Sequence, residues 1–316
     1  MKEATMATTS IGWTDLTLNP VIGCTHAGYT GADGVKRAHP GCDNCYAEVM
    51  CSRTLPGFEA HNACSSGGRW TGQIRVLPER LLWPFTRKEY GARKDGQQRR
   101  CFLTSLGDMG HPAVPERDWM AVQGMMLLSP WITWQDLTKR PGRQRALLEK
   151  WSPWSCIEEA WKRGLCSLVK LQTGPNNWAH VNWIHRYVSV SDQPTADALI
   201  PELLRMPAAV RGISAEPLIG AVDLRQAIGL PNGGVNAISH IDGLGYGLDH
   251  VIVGGESGRG ARPCDLAWIE AIVGQCAEAG VPCFVKQLGS HHGPGKGDDM
   301  ALWPEALRVQ QSVGGV

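Results

Sequence analysis

Three cysteines carry the most specific chemistry in this chain. Cys24 is followed by Cys42 and Cys45, the last two separated by two residues, and Tyr46, Ala47 and Glu48 come directly after. The short spacing puts both sulfurs on one side of a tight turn, and the upstream thiol can complete one face of a metal site. Three cysteines are one short of a closed structural zinc site. They are also one short of the four that normally hold a [4Fe–4S] cluster, which leaves one iron open. An open iron is what a radical S-adenosylmethionine (SAM) enzyme needs, because the methionine part of SAM binds there. Two other readings stay open on spacing alone: zinc with a fourth ligand from His26, His39, Cys51 or Cys64, and three unrelated thiols. The 17 residues between Cys24 and Cys42 are rich in Gly, His and charge and predict a loop insertion.

Further polar residues gather after short apolar runs. Gly254-Gly255-Glu256-Ser257 has glycines that allow close backbone approach to a ligand. Its Glu256 can meet an amine or a ribose, or else pair with Arg259 or Arg262. Asp108 is a candidate for the SAM ammonium, with a helix cap as the alternative. Lys139 and Arg140 can bind the SAM carboxylate or a phosphate, or form a plain surface pair before Pro141. Ser189, Ser191 and Asp192 suit ribose hydroxyls, Asp192 equally suits a helix cap, and Ser214 joins this cofactor-binding set. Glu216 closes a strand and faces the sheet's mouth, where a charge needs a partner. With Glu256 and Lys286 it forms the catalytic set. His111 reads as structural or as a proton donor. Cys264 reads as a core thiol or, near Glu256, as a hydrogen donor.

The elements that must position these groups are legible in outline. The chain has 316 residues, 43% apolar and 19% charged, enough for a sizeable core and too apolar for disorder. A net charge of +1 gives no global basic field for nucleic acid. Eleven irregularly spaced Cys without a secretory signal point to a reducing, cytoplasmic setting. No run approaches 18 apolar residues, so no membrane span is expected.

Seven short apolar runs alternate with helical segments. After a first strand within Ile11 to Gly23 come Cys101 to Thr104, Trp131 to Trp134, Tyr187 to Val190, Val210 to Ile213, His250 to Val253 and Cys283 to Val285. Helices are predicted over Cys45 to Leu55, Pro78 to Tyr90, Glu116 to Leu128, Arg143 to Trp151, Thr195 to Met206 and Leu266 to Ala279. This alternation predicts parallel βαβ units. Nearly every strand ends in chemically rich residues, which favours a partial (β/α) barrel of six to seven strands, TIM-barrel- or radical-SAM-like, over an open doubly wound sheet. One domain is expected over 11–290, after a disordered stretch 1–10 and before a C-terminal tail 291–316. Insertions over the rim are expected near 25–41, 152–185 and 227–248.

Several runs together, GWTDLTLNPVIGC, GCDNCYAE, LTSLGDMGHP, LTKRP, VSVSDQ, ISAEPLIGAVDL, VIVGGESGRGARP and FVKQLG, resemble in order the motifs of an uncharacterised bacterial and phage family of three-Cys-motif, radical-SAM-like proteins. The resemblance spans Ile11 to Gly289. It implies a cluster-binding triad at Cys24, Cys42 and Cys45 and motif positions at Asp108, Lys139 to Pro141, Ser214 to Pro217 and Gly254 to Ser257. The chain departs from the pattern in the long gap after Cys24, and in Ser191 where the family carries a carboxylate.

The expected function is therefore a radical-SAM enzyme with a [4Fe–4S] cluster and SAM, served by an electron donor such as flavodoxin or ferredoxin. The phage context of the family suggests a nucleotide or nucleic acid as substrate, with Trp134, Trp178 and Trp183 able to stack on a base or, equally, to pack under loops. The alternatives are a zinc-binding, nucleic-acid-interacting or structural protein, and a barrel hydrolase using Glu216 and Glu256 with incidental cysteines.

Overall fold

The computed structural model describes residues 9–53, 59–168, 174–225, 227–228, 235–236 and 247–313. Seven parallel strands form one sheet in chain order: β1 (Leu16–Leu18), β2 (Arg99–Leu103), β3 (Ile132–Thr138), β4 (Ile184–Val190), β5 (Val210–Ala215), β6 (His250–Gly254) and β7 (Cys283–Gln287). Every neighbouring pair is parallel. The sheet curls into an open half-barrel. Near-continuous burial of β4 and β6 is what a parallel sheet covered on both faces requires.

The two faces differ in content. Val188 and Val190 of β4 join the large core under the helices, whereas Tyr187 joins a small cluster with Trp13, Phe102, Ile252 and Phe284 on the inner face. The outer helices are α1 (Tyr46–Cys51), α2 (Glu116–Leu127), α3 (Pro141–Lys150), α4 (Pro153–Lys162), α5 (Gln193–Leu204) and α6 (Leu266–Ala279), with short helical turns elsewhere. Asp192 starts α5 with a reciprocal capping box to Thr195, so its side chain is spent on the helix start. Asp265 caps α6, and Gly280 ends it at φ 68°.

Several expectations change. The predicted helix Pro78 to Tyr90 breaks into two 3₁₀ turns around a single α-turn, with Pro78 and Pro84 opening successive pieces. β3 runs four residues past Trp134, so Gln135, Asp136 and Thr138 lie inside the strand. Asp136 is buried in an ion pair with Arg186. The 152–185 insertion does not sit over the rim: it joins a helix to the start of β4, so it lies at the opposite end of the sheet. Its helix α4 packs on α2, and residues 169–173 lie outside the described residues.

The three tryptophans proposed to stack on a base are packing residues. Their indole N–H groups donate to Ser129 Oγ (Trp134), the Trp151 carbonyl (Trp178) and the Met126 carbonyl (Trp183). The expected C-terminal tail is built in. Residues 309–311 run antiparallel along β7, with Val285 N donating to Val309 O and Gln311 N to Cys283 O, and they cover that sheet edge. Of the 227–248 insertion, 227–228 pairs antiparallel with 235–236; 226, 229–234 and 237–246 lie outside the described residues. Residues 1–8, where a disordered stretch is expected, also lie outside them. Among the described residues no helix is long and apolar enough to cross a membrane.

Candidate functional site

The long segment after Cys24 is a small β-hairpin, Gly28–Thr30 with Lys36–Ala38, closed around Gly34 at φ 76°. It returns the chain to a 3₁₀ turn, Pro40–Cys42, and then to α1, with Cys45 at its N-cap. The cysteine loop is thereby laid across the C-terminal ends of the strands and pinned at four of them.

Beyond β2, Tyr46 Oη donates to the Ser105 carbonyl at 2.7 Å. Beyond β3, Arg140 donates to the Thr25 carbonyl at 2.7 Å and to Cys24 Sγ at 3.4 Å. At β4, the buried His39 bonds through Nε2 to the Ser189 carbonyl at 3.0 Å, while its Nδ1 accepts from Gly41 N. Beyond β6, Asn44 donates to Glu256 at 3.1 Å, and Arg262 reaches the Pro40 carbonyl at 3.0 Å and Asp43 at 3.2 Å.

Cys42 lies near enough to Cys24 and to Cys45 to act on each thiol electrostatically, as the smallest of several influences. Burial pushes Cys24 up to about 12, Asp108 adds to the effect, and Arg140 opposes it. Burial also raises Cys45, against the amides of Glu48 and Ala47 and the charge of Lys139. Among the described residues, no group of three or more His, Cys, Asp or Glu side chains is arranged to hold a metal ion as it stands. Of the residues considered for a fourth zinc position, His26 bonds Glu48 at 3.0 Å and His39 is fixed as above, while Cys51 and Cys64 are buried in a cluster with Ile22 and Leu106 against which Cys45 packs.

The other sequence candidates divide by what already holds them. Asp108 is saturated: Oδ1 accepts from Gly110 N and Thr138 Oγ1, and Oδ2 from Lys139 N and Arg140 Nη1. It positions Arg140 and leaves little capacity for an ammonium. Glu256 is likewise taken. Burial disfavours its charge, but bonds from Arg262 and Asn44 outweigh burial and hold the carboxyl below its ordinary range. The adjacent glycines serve the sheet: a Cβ on Gly255 would lie 2.3 Å from the Leu288 carbonyl. Asp192 is a helix cap. Cys264 belongs to the core under the helices, where burial pushes its thiol up to about 12.

Groups with chemical capacity remain on the inner face. Glu216 and Lys286 form a close ion pair, with Gln287 Nε2 also donating to Glu216 at 3.2 Å. Ser189 pairs in register with Ser214, and Ser189 Oγ donates to the Glu216 carbonyl. The Ser191 hydroxyl is buried with no hydrogen-bond partner. Lys139 has no ion-pair partner among the described residues, and its charge is felt at both His39 and Cys45. His111 accepts or donates with Thr25 Oγ1 at 2.9 Å, which links it to Arg140 and so to Cys24.

Thr25 and Asn44 were not legible as site residues. Their roles depend on contacts across more than 80 positions of sequence, and no local pattern encodes such contacts.

Comparison with known proteins adds a family. A family model described as "Protein of unknown function (DUF5131)" matches residues 8–301. No curated protein and no solved structure matches the chain.

Proposed function

The chain belongs to this family of proteins of unknown function, and from that premise we propose that it is a radical-SAM-type enzyme whose cluster is held by Cys24, Cys42 and Cys45. One observation supports the reading: the loop that carries Cys24, Cys42 and Cys45 is pinned across the C-terminal strand ends of a parallel half-barrel. Strand-end mouths are where parallel α/β barrels build their active sites.

Bound there, a [4Fe–4S] cluster with SAM supplies one-electron reductive cleavage and hydrogen abstraction, chemistry that belongs to the cofactors. This chain's own residues bind and orient. Arg140, fixed by Asp108, holds the Cys24 segment in place. Glu256, through Arg262 and Asn44, fixes the turn that carries Cys42. Lys139, cationic and unpaired, complements a carboxylate, and the Ser191 hydroxyl is available to a sugar. Glu216 and Lys286 can hold a proton at the far side of the mouth, where a substrate, a nucleotide or nucleic acid, would be oriented.

The test is anaerobic reconstitution with iron and sulfide, followed by iron analysis, electron paramagnetic resonance and assay of 5′-deoxyadenosine from SAM. Near four iron per chain, lost in each of Cys24→Ala, Cys42→Ala and Cys45→Ala, supports the reading. Stoichiometric zinc retained by the wild type and no bound iron would sink it.

A further inference from the structure

Beside the cysteine loop lies a groove of about 390 Å³ that shares Thr25 with the contacts described above and is otherwise built from residues given no role there. Its volume falls within the roughly 300–1,000 Å³ typical of small-ligand sites. Thr25, His26, Glu48, Arg69, Trp70 and Thr71 line it. Two local structures build it. The Gly67-Gly68 pair, at φ 57° and 76°, makes the two-residue turn of a hairpin whose second strand presents Arg69 and Trp70. The helix α1 delivers Glu48 from below.

Glu48 is the unusual member. It is 3% exposed, and a carboxylate is rarely so buried without strong partners. Its Oε1 accepts from His26 Nε2 at 3.0 Å and Trp70 N at 3.1 Å. Among the described residues its Oε2 meets only Arg69 Nη1, at 3.9 Å, from a side chain 72% exposed. One oxygen of a buried carboxylate is therefore left weakly engaged toward the groove. Trp70 is half-buried, packs against the small cluster of Ile22, Ala47 and Cys51, and is one of the residues that line the groove.

We infer that this groove binds a guanine base. A carboxylate accepts from the adjacent N1–H and N2–H groups of guanine, a donor pair no other common base presents. An arginine is the standard partner of guanine O6 and N7. An indole face supplies a stacking surface. Glu48, Arg69 and Trp70 provide all three at one groove. The inference does not depend on the cluster: no cysteine lines the groove.

The test is calorimetric titration of the full chain with GMP, AMP, CMP and UMP, and in parallel with single-stranded hexanucleotides of dT carrying or lacking one dG. Guanine-dependent binding in either arm supports the inference, and the arm that responds names the source as free nucleotide or nucleic acid. Glu48→Gln keeps an acceptor for Trp70 N but turns an amide toward the base; it should weaken guanine binding about 10- to 100-fold. Arg69→Ala, at an exposed position that cannot unfold the chain, should weaken it similarly. Iron content after reconstitution, measured in Glu48→Gln and Arg69→Ala, should equal wild type, so loss of the cluster and loss of this site are separately visible. Equal affinity for all four nucleotides with no dependence on dG, or full affinity in both Glu48→Gln and Arg69→Ala, overturns it.

Discussion

Arg140 shares one guanidinium nitrogen between two partners: Nη1 donates to Asp108 Oδ2 at 2.9 Å and to Cys24 Sγ at 3.4 Å. Both ion-pair side chains are nearly covered, at 13% and 7% exposure. Removing one member of such a pair leaves an uncompensated charge. Asp108→Ala is expected to cost about 3–5 kcal/mol in urea unfolding. In the reconstituted protein it should also loosen iron retention, because Arg140 then no longer anchors the Thr25 carbonyl. Wild-type stability in this variant would show that the pair is not formed in solution.

The buried Ser191 hydroxyl predicts the opposite sign. Its Oγ has no partner and its residue is fully covered. An unsatisfied buried polar group carries a desolvation penalty, so Ser191→Ala should raise unfolding free energy by about 1 kcal/mol. The same variant should bind SAM more weakly than wild type if the hydroxyl meets the ribose. Loss of stability on this substitution would mean that Ser191 has a bonding partner in solution.

Gly124 sets the separation of α2 from α4. A Cβ there would lie 2.1 Å from the Cys156 carbonyl and 2.6 Å from Ala160 Cβ. Backbone cannot yield as a flexible side chain can, so Gly124→Ala should cost at least about 1–3 kcal/mol through overpacking, despite the better helix propensity of alanine. A thermal midpoint equal to or above wild type would contradict the close approach of these helices.

Buried histidines give the fold an acid-side dependence. Burial, aided by Lys139, lowers His39 from 6.5 to about 3. Burial lowers His185 and His250 to about 4. Each is a base whose folded-state value lies below its unfolded value, so between those values the unfolded chain binds more protons. Stability is then full above about pH 6.5 and falls as pH drops toward 4, by up to about 1.4 kcal/mol per pH unit for each histidine. Urea midpoints at pH 7.5, 6 and 5 check this; a flat profile across that range would remove it.

The strand count, the parallel order and the helix Leu266–Ala279 were readable from the sequence, because hydrophobic periodicity and caps such as Asp265 and Gly280 are local signals. Glu216 lies just past β5 and Lys286 inside β7, and both Lys286 and its neighbour Gln287 reach Glu216, a convergence that simple alternation along a strand does not specify. Sequence could not decide which of the polar residues at strand ends were already spent. Asp108 and Glu256 look alike in the chain to free carboxylates. Only the fold brings Arg140 from 32 positions away to one, and Asn44 from 212 positions away to the other. Proline placement broke the predicted helix over Pro78 to Tyr90, but the tertiary structure decided the fate of the tryptophans. Trp178 and Trp183 lie in the segment that joins a helix to β4, which must run at the end of the sheet opposite the mouth, and Trp134 is buried within β3 under the helices. The groove of Glu48, Arg69 and Trp70 belongs to the same class. The sequence around Gly67-Gly68 reads only as a loop; the hairpin there, and its meeting with α1, come from packing that no local pattern specifies.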